Sequence, residues 1–125
     1  MYLPSEIEAR YAIPALRAFI VRKLVKEHGF TQEAAAKSLG LTQAAVSNYL
    51  RGVRGVMSVW ETNSQIQEYV DQIVSRIVAD SINVRTVLKM MNQILLEIRR
   101  RKLLCIIHRE VEPQLNLSEC DICWR

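Results

Sequence analysis

The chain has no long apolar run. Its longest, Leu103-Leu104-Cys105-Ile106-Ile107, falls far short of the ~20 residues that cross a bilayer. The N-terminus, with Glu6 and Glu8, has no signal-peptide pattern. Cysteine is scarce: there are three, all beyond position 104, and without a secretory signal they predict a reducing, cytoplasmic setting. No Gly-rich phosphate loop and no Ser/His/Asp set occurs, and the acid pair Glu6/Glu8 suits an exposed helix start better than a cleft, so an enzyme is not expected. No internal repeat, low-complexity tract or strand-like alternation is present. What remains is all-α.

Half of the 125 residues are hydrophobic, which predicts a real core and excludes disorder. The formal charge of +4 is unevenly spread. Residues 1–58 hold eight Lys/Arg against four acids, residues 59–98 three against five, and residues 99–125 six against four. The N-terminal part is thus the basic part, as neutralising phosphates requires.

Residues 31–52 carry the sharpest pattern, two short helices joined by a glycine turn. Thr31 can cap a helix to about Leu39, with Glu33 in its first turn, and Gly40 can take the left-handed conformation that ends it. Thr42 can cap a second helix from Gln43 to about Arg51, which Gly52 stops. Ala35, Leu39, Leu41, Val46, Tyr49 and Leu50 can point inward and lock the pair. The other face of the second helix offers Gln43, Ala44, Ser47, Asn48 and Arg51, small or hydrogen-bonding groups plus one cation, as entry into a DNA major groove demands.

This run resembles the helix-turn-helix of the lambda-repressor/Xre class of transcriptional regulators. The resemblance implies a phosphate contact for Gln32, base reading by Gln43, Ala44, Ser47 and Asn48, and double-stranded DNA as partner. The fuller run, from Leu3-Pro4-Ser5-Glu6 through Pro14-Ala15-Leu16-Arg17 to Gln43-Ala44-Ala45-Val46-Ser47, is similar to a small archaeal branch. That branch occurs as stand-alone proteins and as the N-terminal domain of thiamine-biosynthesis regulators. Those regulators carry a thiamine-phosphate-binding domain, for which 125 residues leave no room, so thiamine sensing is not expected. The DNA-binding set is then Gln32, Lys37, Thr42, Gln43, Ala44, Ser47, Asn48, Arg51 and Arg54, with Arg17 and Arg22 adding non-specific attraction.

Around this centre the spacing predicts more helices. Ile7, Tyr11, Ile13, Leu16, Ile20 and Leu24 follow a helical period, with a break expected near Ile13, Pro14 opening the main helix and His28-Gly29 ending it. A linker at 52–60 divides a helix-turn-helix domain, 1–58, from a helical dimerisation region, 59–125. There Thr62 or Asn63 can cap a helix whose stripe is Ile66, Tyr69, Val70, Ile73, Ile77 and Val78. After Asp80-Ser81, a second helix with Val84, Val87, Leu88, Met91, Ile94, Leu95 and Ile98 in its stripe is expected to run on through Arg99–Lys102 to about Arg109. Two amphipathic helices must fold back on the head or pair with a second subunit, and a homodimer is expected.

Cys105-x-x-His108, eleven residues, then Cys120-x-x-Cys123 gives four ligands in two pairs. Three sulfurs and one nitrogen suit a tetrahedral structural zinc, with an iron–sulfur cluster as alternative; buried core residues and a tail with no metal are the plain reading. Arg99-Arg100-Arg101-Lys102 reads as a solvated basic turn or a DNA contact. The whole predicts a sequence-specific DNA-binding regulator. The rivals are a metal- or redox-responsive protein whose helix-turn-helix mediates protein contacts, and an antitoxin-like partner protein.

Overall fold

The computed structural model describes residues 2–51, 55–79, 82–114 and 122, with backbone alone at 55–57. Every regular element among them is helical. Helix α1 (Pro4–Ile7) runs into a π-turn (Glu8–Ala12) and then α2 (Ile13–Lys26). The break expected near Ile13 is absent: the Ile13 N–H reaches back five residues to the Glu8 carbonyl. This wider turn lies just before Pro14, whose ring would otherwise press on the carbonyl four residues back, so the chain bulges and stays helical. As expected the helix then stops, and the Phe30 N–H returns to the Leu24 carbonyl at 3.0 Å through Gly29 at φ 68°.

Helices α3 (Gln32–Leu39) and α4 (Gln43–Leu50) follow, then a 3-10 turn (Gly55–Trp60). Helix α5 (Ser64–Val78) is capped by Asn63, whose Oδ1 accepts from the Ile66 N–H at 3.0 Å. Helix α6 (Val84–Arg100) is capped in the same way by Asn83 at the Thr86 N–H, 2.9 Å. Both stripes turn inward against the chain's own head: α5 packs on α2, and α6 on α3. Within the stripes Ile66, Tyr69, Val70, Ile73, Ile77, Val87, Met91, Ile94 and Ile98 are buried, joined by Val74. Val78 and Leu88, counted with them from the sequence, are instead 39% and 49% exposed. The helix turns 100° per residue, and the drift brings Val74 rather than Val78 beneath the stripe.

The long second helix does not continue to Arg109. It ends at Arg100, Lys102 adopts φ 59°, and α7 (Leu104–Val111) starts in a new direction. The reversal is a Schellman motif: the Leu103 N–H returns to the Ile98 carbonyl at 2.9 Å and the Lys102 N–H to that of Arg99 at 3.1 Å. A lysine in this left-handed position costs roughly 1–2 kcal/mol. The turn folds Leu104 and Ile107 to 0% exposure, and burying each side chain stabilises by about 1.5–3 kcal/mol. Burial wins. Lys102→Gly should therefore raise stability by ~0.5–1 kcal/mol, read as a melting temperature a few degrees higher. An unchanged or lower value would mean that Lys102 is held by something stronger than its backbone strain.

One continuous set of buried side chains runs from Ile7 to Ile107 and crosses the expected boundary at residue 58. Trp60 belongs to it with no exposure, its indole Nε1–H donating to the Leu103 carbonyl at 3.1 Å. Ion pairs fasten the outside: Lys23 to Asp71, Arg22 to Glu61 at 3.1 Å, and Arg99 to Glu8 at 3.5 Å.

Candidate nucleic-acid interface

The two helices of the interface are built as their capping residues dictate. Thr31 Oγ1 accepts from the Ala34 N–H at 3.0 Å, and Thr42 Oγ1 from the Ala45 N–H at 3.1 Å. Each threonine satisfies one of the amides that a helix start leaves unpaired. Between them Gly40 stands at φ 65°, and the Leu41 N–H closes back on the Ala36 carbonyl at 2.9 Å. A Cβ here would meet Val84 Cγ1 at 3.0 Å, so Gly40 is required by its backbone angle and by the start of α6 pressing on the turn.

Ala35, Leu39 and Val46 are buried between α2, α3 and α4, with Leu41, Tyr49 and Leu50 partly buried beside them. Anchoring Val46 at 0% exposure fixes which face of α4 looks outward. On that face Gln43, Ala44 and Asn48 are exposed and Ser47 is half-buried. Thr42, Lys37 and Arg51 are exposed around it, and Gln32 is half-buried in the first turn of α3. Among the described residues α4 carries no acid, and the only one on α3 is Glu33 at its start. Arg54 lies outside the described residues. The surface thus offers three amides that can donate and accept in the same plane, two hydroxyls and two cations, a set suited to base edges and phosphates.

Not every expected cation serves it. Arg22 is held by Glu61. In the basic run Arg99 faces Glu8, Arg100 and Arg101 approach Glu97 at 3.4 and 3.7 Å, and the Arg101 guanidinium sits 5.7 Å from the centre of the Tyr69 ring. Arg99 and Arg101 thus tie α6 to neighbouring elements, while the pairs with Glu97 stay within one turn of its end. Burial raises the Glu8 carboxyl above its ordinary range, with Arg99 opposing. The role of Val84 behind the turn was not legible in the sequence, because a valine at a helix start carries no sign of what it touches.

The cysteine set is divided. Cys105 and His108 share the buried face of α7, while Cys120 and Cys123 lie outside the described residues. His108 Nε2 stands 3.4 Å from Glu112 Oε1, which also accepts the Tyr2 N–H. That backbone donor holds the Glu112 carboxyl below the usual carboxylate range, against burial and with support from His108. Among the described residues no three of His, Cys, Asp and Glu are arranged to hold a metal.

Residues 21–56 match the family model HTH_3, helix-turn-helix. The match covers the end of α2, both helices of the interface and the turn between them, and it makes this segment a helix-turn-helix of the kind found in DNA-binding regulators. Neither a curated protein nor a solved structure matches the chain. Among the described residues no helix is long and apolar enough to cross a membrane.

Proposed function

We propose that this chain is a sequence-specific DNA-binding transcriptional regulator that acts as a homodimer on a near-palindromic operator, and that it is not an enzyme. The observation that carries the reading is the outer face of α4: Gln43, Ala44 and Asn48 stand exposed opposite a Val46 with no exposure at all. A face kept for packing would not place two amides and a small alanine in water beside Lys37 and Arg51. The match of residues 21–56 to a helix-turn-helix family model points the same way.

Contacts divide by what they can read. Lys37 and Arg51 meet phosphates, together with Gln32 and the Thr42 hydroxyl; Gln43, Ala44, Ser47 and Asn48 meet base edges. DNA selected from a random pool by the purified protein should yield one motif with two related halves. Lys37→Ala should weaken binding on every sequence and reduce the slope of log K against log salt by ~0.9, one phosphate contact's worth of released counterions. A selection that returns no motif, together with binding that ignores salt, would leave the helix-turn-helix as a protein-contact element. For the Cys/His set, metal content decides. One zinc per chain, lost in Cys120→Ser, would complete a site begun by Cys105 and His108. Protein holding neither zinc nor iron leaves those two as core residues.

A further inference from the structure

Helix α2 holds no acid and α6 only Glu97, against four Lys or Arg on each. Half of these cations are matched: Arg22 by Glu61, Lys23 by Asp71, Arg99 by Glu8 and Arg100 by Glu97. Of the rest, Lys26 closes the far end of α2. Arg17, Arg85 and Lys89, which form no ion pair among the described residues, gather at one place. An open groove of about 140 Å³ runs between α2 and α6, lined by Ile13, Arg17, Leu88, Met91, Asn92 and Leu95. Arg17 stands on its α2 wall. On the α6 side Arg85 and Lys89 are exposed, one turn before Leu88 and next to it. Leu88 is itself 49% exposed, and Leu96, two turns further along, 59%. Apolar surface gathered in a groove and rimmed by polar groups marks an interaction site, whereas leucines scattered singly do not.

We infer that the groove between α2 and α6 docks an acidic amphipathic helix of a partner protein. Two helices side by side leave a channel that the ridge of a third can fill, with large apolar side chains at every third or fourth position. Those side chains meet Leu88, Met91, Leu95 and Leu96. Asp or Glu on the flanks of the incoming helix then stand over Arg17 on one wall and over Arg85 and Lys89 on the other. Charge selects this occupant. A second copy would set cations against cations. The phosphates of DNA would suit the rim but bring nothing apolar to the leucines. An anionic lipid surface brings both, but it is flat and the groove is concave. An acidic amphipathic helix matches the charge, the apolar floor and the shape together.

The size of the groove makes the contact a transient one. A single helix seated there buries less than the ~1,200 Å² of a stable interface, as weak signalling encounters do. Burial of Leu88 and Leu96 supplies most of the affinity. Each exposed ion pair on the rim adds only about 1.5- to fivefold, so the cations decide which partner binds more than how tightly. Their attraction reaches only ~8 Å at physiological ionic strength, and the complex therefore loosens as salt rises. Docking here needs no DNA, so it stands or falls apart from the reading of α4.

The probe is a fluorescent synthetic peptide of about 18 residues, long enough to be helical, with Leu at every third or fourth position and Glu on both flanks. Its anisotropy should rise as parent protein is added in the micromolar to sub-millimolar range, and the affinity should fall with added salt. The double variant Leu88→Ser, Leu96→Ser should weaken binding at least about tenfold. Arg85→Ala with Lys89→Ala should weaken it by roughly 2- to 25-fold, the product of two exposed pairs. All four side chains are exposed, so circular dichroism should show both variants folded. Three results would overturn the docking: no rise in anisotropy, equal binding of a peptide with Ser in place of Leu, or affinity unmoved by loss of the two leucines. Binding that falls with Lys37→Ala but not with Lys89→Ala would also overturn it, because the peptide would then be imitating DNA on α4. Vesicles of anionic lipid that hold the parent but not the leucine variant, with no binding of the peptide, would assign the face to a lipid surface instead.

Discussion

Trp60→Ala should remove about 3–5 kcal/mol of stability, the largest loss expected from any single side chain here. Domains of this size are stable by only ~5–15 kcal/mol, so the variant should melt far below the parent or fail to fold at physiological temperature. Three effects add up. The indole is wholly buried, its N–H occupies the Leu103 carbonyl at 3.1 Å, and it lies where the segment after α4 meets α7. Trp60→Phe separates them by keeping most of the ring while leaving that carbonyl without its donor, and should cost roughly 1–3 kcal/mol. Urea unfolding followed by circular dichroism gives both values. The same experiment tests the boundary read at residue 58. A single core running through Trp60 predicts one cooperative transition; a plateau with part of the helix signal intact would show that residues 1–58 fold by themselves. A Trp60→Ala protein that melts with the parent would mean that the core closes without it.

At a selected operator, Asn48→Ala and Gln43→Ala should each lower affinity by about 1–3 kcal/mol, roughly five- to 150-fold, and relax base preference at one position per half-site. The effect is one of specificity. Each amide lost leaves a base edge without its partner, whereas the phosphate contacts of Lys37 and Arg51 are indifferent to sequence. Binding of each variant to the operator and to unrelated duplex, at two salt concentrations, separates the two classes. Both variants should fold as the parent does, because Gln43 and Asn48 lie outside the core. Variants that bind the operator at parental strength would show that α4 is not the reader.

Those residues were legible in the sequence because their signals are local. Thr31, Gly40 and Thr42 each announce a cap or a turn through the chemistry of one residue, and the structure uses all three as read and takes Asn63 from the pair Thr62 or Asn63. What the sequence hid depends on distant partners. Nothing in Arg-Arg-Arg-Lys marks a helix end, since the residue that takes the left-handed turn is Lys102 and not a glycine. The reversal exists because Leu104 and Ile107 find the core, a fact spread over the whole fold. The π-turn before Pro14 is likewise a compromise between a ring that blocks the α-helix and a core that holds both flanks. The stripe of α6 was read one row too wide for a similar reason: Leu88 has a core residue's chemistry, but the head is too narrow to cover it.

The approach of Val84 to Gly40 ties two events that would otherwise be independent. A Cβ added to the turn that aims α4 would come within 3.0 Å of the valine that opens α6, so the space a glycine leaves is space that α6 occupies. Whatever moves one along its path must displace the other or strain a backbone already in its left-handed well. If engagement of DNA favours one setting of α6, anything that binds α6 in that setting must favour DNA by the same factor, since a coupling free energy is shared equally by the two equilibria it joins. A side chain at position 40 would then disturb the aim of α4 and the seat of α6 together.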